Sequence, residues 1–142
     1  MSVRTPPPPL RYRLLGAEGV RWFACLALCA AYLQGALTKL LDFPAATAEM
    51  AAAGLAPAPA FAVAVIVLEL VASAMVVSGR GRWLGAIALA AFTLAATAQV
   101  LRFWELPAGA PRTGMTNAFF EHLGLVGGFL LVAWIDVREL RQ

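Results

Sequence analysis

The residues of this 142-residue sequence that could do chemistry are ionisable side chains within, or at the ends of, long apolar stretches. Glu69 lies about ten residues from either end of one stretch, so a helix there would hold its carboxyl group roughly 15 Å deep in a bilayer. An ionisable group at that depth costs at least about 2.5 kcal/mol, which makes it a functional candidate. Such a group is protonated, reached by water or paired, and we expect Glu69 to act as a proton acceptor.

Lys39 closes the preceding apolar stretch, and its stem is long enough either to extend outward to the membrane surface or to reach inward toward Glu69. The remaining polar residues of the apolar stretches fall in the same half of the membrane. Structural polar residues alone would be scattered over all depths, so this asymmetry predicts a polar pocket in the outer half. The candidate ligand-binding residues are Gln34, Thr38, Lys39, Gln99, Asn117, Glu121 and His122.

An alternative interpretation gives the same residues a purely structural role. Glu69 would then be a neutral acid that donates one interhelical hydrogen bond, and the other polar residues would lie at the membrane interface. Under either interpretation, the inner half of the membrane is expected to be dry apart from Ser78 and the arginines at the interface.

The histidine and cysteine content argues against a metal site. The sequence has one histidine and neither an H-x-x-x-H nor a C-x-x-C motif, so we expect no metal. Cys25 and Cys29 are spaced i, i+4 on the side of their helix opposite its polar residues. We expect both thiols to be small apolar packing groups.

The elements that position these residues must be membrane helices. Hydrophobic residues make up 61% of the chain and charged residues 13%, whereas soluble domains average about half and about a quarter. A net charge of +3, spread thinly, excludes a basic nucleic-acid-binding module and leaves lipid as the main partner. Because each crossing needs about 20 apolar residues, we predict an all-α bundle of four transmembrane helices, at about residues 20–41, 58–78, 83–101 and 118–135.

The segments outside these helices have their own patterns. Residues 1–19 are predicted to be a proline-rich basic tail, residues 20–137 the membrane domain, and residues 138–142 a second tail. In the connection 42–57, good helix formers lie between Pro44 and Gly54, which predicts a short helix at the outer membrane interface. The connection 105–116 is expected to be irregular, because it contains Pro107, Gly109, Pro111 and Gly114.

The basic residues orient the bundle. Eight arginines lie in the two tails and the connection between the second and third helices, and three cations, Lys39, Arg102 and Arg112, lie on the opposite side. Since cytoplasmic segments carry the excess of Lys and Arg, both termini are predicted to be cytoplasmic. We therefore expect a multi-pass protein of the bacterial inner membrane.

Small residues recur on the predicted helices and are interpreted as packing contacts, because lipid gives helices no hydrophobic reason to associate. The first helix has Ala27, Ala31 and Gly35 at every fourth position, and the fourth has Gly124 and Gly128. The third carries a ridge of alanines at positions 86, 90, 91, 95 and 98.

Several short motifs, taken in order, resemble the DoxX family of small four-helix membrane proteins. They are Arg21 followed by the run 34–40, then Glu69-Leu70 with Gly79 and Arg82, and finally the run 119–128. The resemblance extends from about residue 21 to residue 133. It implies a link to quinone-dependent sulfur oxidation and to membrane oxidoreductase complexes that handle thiols and oxidative stress.

Three functions are compatible with these observations. The first is a membrane subunit that binds a quinone or similar redox molecule, with Glu69 as proton acceptor and Lys39, Gln34, Gln99 or His122 as hydrogen-bonding partners. It requires a partner protein subunit, because the chain has no ligand set for haem or an iron–sulfur cluster, and we expect no covalently bound cofactor. The second is a non-enzymatic assembly or scaffold protein, and the third a proton-coupled exporter of small lipophilic cations.

Overall fold

A computed structural model describes residues 17–141 of the chain, and within them it is all-helical with no strand. Five α-helices and one 3₁₀ turn follow each other: α1 Glu18–Leu41, α2 Phe43–Ala52, α3 Ala58–Ser78, α4 Arg82–Val100, the 3₁₀ turn Phe103–Glu105, and α5 Ala110–Glu139. The predicted tail over residues 1–19 falls almost wholly outside the described residues. The predicted tail over 138–142 begins inside α5, which ends at Glu139.

Four of these helices, α1, α3, α4 and α5, are long and apolar enough to cross a membrane. The prediction of an all-α fold with four spanning helices is therefore confirmed. The first three predicted segments end within two residues of the observed helices. The remaining α-helix, α2, has ten residues and lies between the first two spanning helices. Asp42 begins it by accepting a hydrogen bond from the backbone N–H of Ala45 at 3.0 Å.

The prediction of an irregular connection over residues 105–116 is wrong in its second half. Helix α5 begins at Ala110, so Pro111 lies in its first turn, where the missing N–H has no helical partner to lose. Gly109 precedes the helix with a φ of 151°, a backbone conformation that favours glycine. The 3₁₀ turn packs on α5, since the ring centroid of Phe103 lies 5.4 Å from that of Phe119.

The spanning helices alternate in direction, so the bundle has two chemically different ends. One, the termini end, contains the start of α1, the α3–α4 turn and the end of α5. The other, the loop end, contains α2 and the α4–α5 connection. Neighbours along the chain pack in pairs, α1 on α3, α3 on α4 and α4 on α5. Helices α1 and α5 close the bundle at isolated points, one of which is an edge-to-face contact of Tyr32 with Phe129 at 5.4 Å.

The bundle core consists of small and aromatic side chains from all four spanning helices. Phe129 and Leu89 are its largest completely buried residues. Cys25 and Cys29 are both buried free thiols in the same cluster, in agreement with their predicted packing role. The face of α1 that carries Gln34 and Thr38 is exposed instead.

The closest helix contact is made by a glycine that the small-residue pattern did not single out. A Cβ added at Gly85 on α4 would lie 2.6 Å from the carbonyl oxygen of Ala72 on α3. Of the predicted packing residues, Gly35, Ala86, Ala90 and Gly128 do contact other helices. The others turn outward, namely Ala27, Ala31, Ala91, Ala95, Ala98 and Gly124, so the packing prediction is wrong for them within this chain. Helix rotation, which composition alone does not fix, decides which small residues face inward.

The close approach at Gly85 gives the first test of the fold. We expect Gly85→Ala to lower the free energy of unfolding by about 1–3 kcal/mol, because the added methyl group overlaps backbone that cannot move aside. Titration with a denaturing detergent in mixed micelles measures this energy. Gly114→Ala on α5 is the matched control, since its Cβ meets nothing within 4 Å and the change is expected to be neutral or stabilising. Equal stability of the two variants would contradict the α3–α4 packing.

Candidate functional site

The first component of the site is an ion pair between Lys39 on α1 and Glu69 on α3. The ammonium nitrogen of Lys39 lies 3.4 Å from Oε2 of Glu69 and 3.5 Å from Oε1. Both side chains are largely removed from the surface, with 15% of the lysine and 6% of the glutamate exposed. Lys39 occupies the last turn of α1, and its stem turns inward to reach the middle of the antiparallel helix α3. Of the two orientations open from the sequence, the structure has the inward one.

Gly35, one turn before the lysine on α1, lies directly beside this ion pair. A Cβ at Gly35 would lie 3.4 Å from the Lys39 nitrogen and 3.5 Å from a Glu69 oxygen. The ammonium group has three donors, and among the described residues Glu69 is its hydrogen-bond partner. Both contacts are longer than the usual 2.7–2.9 Å of a charge-assisted hydrogen bond. The lysine therefore retains donor capacity toward a further acceptor.

A buried hydroxyl group lies on the same face of α3 as the ion pair. Ser73 follows Glu69 by one helical turn and is completely buried. Its Oγ has no hydrogen-bond partner among the described residues. A buried hydroxyl without a partner carries a desolvation cost, so it is available to a polar atom that enters the bundle.

Two threonines of α4 connect it to the first and last spanning helices. The Tyr32 hydroxyl donates to Oγ1 of Thr93, whose own hydroxyl donates to the Leu89 carbonyl oxygen at 2.6 Å. One turn later, Oγ1 of Thr97 lies 2.9 Å from Nδ1 of His122. The sequence analysis missed Tyr32 and both threonines. The signal was available, because Thr93 and Thr97 are spaced i, i+4 on the face of α4 that is most buried.

The other predicted ligand-binding residues make separate contacts. Gln34 donates to Thr38 at 2.9 Å on the exposed side of α1. Gln99 donates to the Ala53 carbonyl oxygen at 2.7 Å and so connects α4 to the end of α2. Asn117 and Glu121 are exposed on α5. The structure thus brings Lys39 and Glu69 together and distributes the remaining candidates, including His122, over the loop-end half of the bundle.

The termini end contains a charged network in which the interface arginines were expected, but not the buried carboxylate of Asp136, one residue beyond the predicted fourth helix. Asp136 on α5 is buried and lies 3.8 Å from Nη1 of Arg82 and 3.5 Å from Nη2 of Arg21. Arg82 also donates through Nε to the Val76 carbonyl oxygen at 2.9 Å. Arg21 forms a second ion pair with Glu139 at 2.7 Å. Three helices, α1, α4 and α5, therefore meet at one carboxylate.

Asp136 also caps a helix to which it does not belong. Helix α4 begins after Gly81, which has no side chain to accept its first N–H groups. The backbone N–H of Trp83 donates instead to Oδ2 of Asp136 at 3.0 Å. A carboxylate at this position also interacts favourably with the helix dipole. The two residues are 53 positions apart, and no local motif indicates such a partner.

No group of three His, Cys, Asp or Glu side chains that could hold a metal ion occurs within residues 17–141. The Lys39–Glu69 pair offers a largely buried ammonium group with donors to spare and a carboxylate that can exchange a proton.

The Asp136 network gives a second test. We expect Asp136→Ala to lower the free energy of unfolding by about 3 kcal/mol, because it removes the acceptor of Trp83 and leaves two guanidinium groups without their shared carboxylate. Asp136→Asn keeps an acceptor oxygen and is expected to lose less. Glu105→Ala, in an exposed ion pair with Arg102, is the control and should change little. A loss as small for Asp136→Ala as for the control, in a mixed-micelle unfolding titration, would contradict the network.

Comparison with known proteins agrees with this architecture. A family model named DoxX matches residues 22–102, which is more than half of the chain and includes Lys39, Glu69, Arg82 and Gly85. No curated protein and no solved structure matches the chain. With four apolar helices of membrane-spanning length, this multi-pass membrane protein belongs to the DoxX family.

Proposed function

We propose that the protein is a membrane subunit of a quinone-linked oxidoreductase system, and that it binds the quinone headgroup beside Lys39 and Glu69. The observation that carries the proposal is the Lys39–Glu69 ion pair, with its Nζ–Oε2 distance of 3.4 Å within apolar helices. Burying an ion pair inside a membrane costs free energy, so such a pair marks a candidate functional site.

The residues present fit a quinone headgroup. A quinone carbonyl group accepts hydrogen bonds and donates none. The ammonium group of Lys39 can donate to it, because its two contacts with Glu69 are longer than usual. Gly35 adds no side chain beside either charged group. The Ser73 hydroxyl is a further buried donor one turn along α3.

When bound, a quinone supplies two-electron, two-proton redox chemistry. Lys39 orients the headgroup by donating a hydrogen bond to a carbonyl oxygen and stabilises negative charge that develops there. Glu69 takes up or releases the proton at its carboxylate, and the lysine provides the counter-charge in its apolar surroundings. Apolar residues of α1 and α3 exclude bulk water from the pair. Electrons come from a partner protein subunit, which we infer from the family resemblance to oxidoreductase complexes.

The proposal includes an orientation in the bacterial inner membrane. Arg21, Arg82 and Arg138 all lie at the termini end of the described bundle, together with Arg80 of the α3–α4 turn. The positive-inside rule then makes this the cytoplasmic end and makes α2 a helix at the outer interface. Under this orientation the quinone site lies in the outer half of the membrane.

Replacement of the lysine tests the binding site. We expect Lys39→Met, which keeps the length of the side chain and removes its donors, to raise the Kd of a short-chain quinone about tenfold or more. Calorimetric titration of the full chain in lipid nanodiscs measures this Kd. Arg102→Met removes an exposed cation at the same end of the bundle and is the matched control, with an unchanged Kd.

Two results would contradict the proposal: a wild-type chain that binds no quinone, or the same Kd for Lys39→Met and wild type. If Lys39→Met is unstable because Glu69 loses its counter-charge, the neutral double variant Lys39→Met, Glu69→Gln provides the same comparison.

A scaffold function is the second candidate, and the exposed face of α5 favours it. Gly124 and Gly127 are open there, with nothing within 4 Å of an added Cβ, and Asn117 and Glu121 are exposed on the same helix. Small residues permit close helix approach in lipid, and polar groups connect helices there. A cation exporter is less favoured, because the Lys39 ammonium group already occupies the carboxylate that a cationic substrate would need.

Gly124→Leu tests whether the exposed face of α5 binds a protein partner. We expect this variant to fold as stably as the wild type, since its side chain meets open space, but to lose the protein partner in pull-downs from the native membrane. Gly19→Leu, also in open space but on α1, is the control and should retain the partner. Recovery of the same partner with both variants would exclude this face of α5 as the interface.

A further inference from the structure

A cavity of about 560 Å³ lies at the termini end, between α1 and α5, and is separate from the Lys39–Glu69 site. Its volume is within the range of ligand pockets, about 300–1,000 Å³. Four charged residues line it: Glu18, Arg21, Arg82 and Glu139. The proposed quinone function makes no use of this cavity.

The cavity is amphipathic along the direction in which the helices cross the membrane. Glu18 is in the first turn of α1 and Glu139 ends α5, so the charged lining lies at the helix ends. Leu28 is ten positions further along α1, about 15 Å deeper at the usual helical rise. Leu28 and Val132 provide an apolar wall there. A ligand that matches this gradient has a charged head and a hydrocarbon chain.

The charges at the cavity mouth match a zwitterion. Two guanidinium groups and two carboxylates line it, and Asp136 lies behind the arginines as a further negative charge. Arg82 uses Nε for the Val76 carbonyl oxygen and Nη1 for Asp136, whereas its Nη2 has no hydrogen-bond partner among the described residues. Glu139 is already paired with Arg21 at 2.7 Å, so a purely anionic headgroup would leave the carboxylate of Glu18 without a cation.

We propose that this cavity binds the headgroup of an aminophospholipid of the phosphatidylethanolamine type. Arg21 and Arg82 donate to its phosphate oxygens, since guanidinium groups suit phosphate geometry. Glu18 and Glu139 accept hydrogen bonds from its primary ammonium group. One acyl chain follows Leu28 and Val132 into the gap between α1 and α5. A choline headgroup has the same charges, but its methylated nitrogen cannot donate to the carboxylates.

Native mass spectrometry of the full chain tests this proposal. The protein is equilibrated in micelles with equimolar phosphatidylethanolamine, phosphatidylcholine and phosphatidylglycerol of identical acyl chains. We expect the wild type to retain the ethanolamine lipid about fivefold over each of the others, as one or two half-exposed charge-assisted hydrogen bonds would give. Glu18→Gln is expected to remove most of the preference over phosphatidylcholine, and Ala24→Trp, which fills the cavity, to remove retention of all three lipids.

Ala27→Trp is the matched control for the cavity-filling variant, because Ala27 is exposed on the same helix and does not line the cavity. It should retain the ethanolamine lipid like the wild type. Equal retention of the three lipids by the wild type would indicate non-selective surface lipid, and preference for phosphatidylglycerol would indicate a simple anion site. Either result overturns the proposal, as does unchanged lipid retention by Ala24→Trp. Quinone titration of Ala24→Trp is expected to give the wild-type Kd, which separates the two sites.

Discussion

A charged side chain in the hydrocarbon region of a membrane has to be neutralised by the protein itself, and this requirement governs both ends of the bundle. At the loop end, Lys39 and Glu69 join α1 to α3. At the termini end, Asp136 joins α5 to α1 and to the start of α4. Each contact connects helices that are distant in the sequence. The ion pairs therefore specify which helices are neighbours, while the small core residues determine how closely they pack.

The two ends use their charges differently. Asp136 has three partners, because it caps α4 and contacts two arginines, and its role is anchoring. Glu69 has one partner at a long distance, beside Gly35. A fully satisfied carboxylate rigidifies a structure, whereas a loosely held ion pair retains the capacity to bind and exchange protons. This contrast is the physical reason for assigning the chemistry to the loop end.

Hydropathy predicted the four spanning helices because a bilayer fixes their length, and three of them end within two residues of the predicted ends. It misplaced the start of α5, since Pro111 indicates a break in sequence but is tolerated in a first helical turn. The position of Glu69 midway along an apolar stretch identified it as a candidate from the sequence. The direction of the Lys39 side chain could not be predicted in the same way, because it depends on the neighbouring helix. Asp136 was missed because its partners come from other helices, and helix rotation decided that Gly124 faces outward.

Lys39 is the only lysine of the chain, so nitrogen-15 labelling of lysine gives a single side-chain ammonium signal for the whole protein. Magnetic resonance of that signal in bilayers, during titration with a quinone, tests the central claim most directly. The account predicts one resonance from a charged, carboxylate-paired ammonium group, which shifts saturably as quinone is added and changes position in Glu69→Gln. A resonance that is unaffected by saturating quinone, or that is the same in wild type and Glu69→Gln, would contradict it.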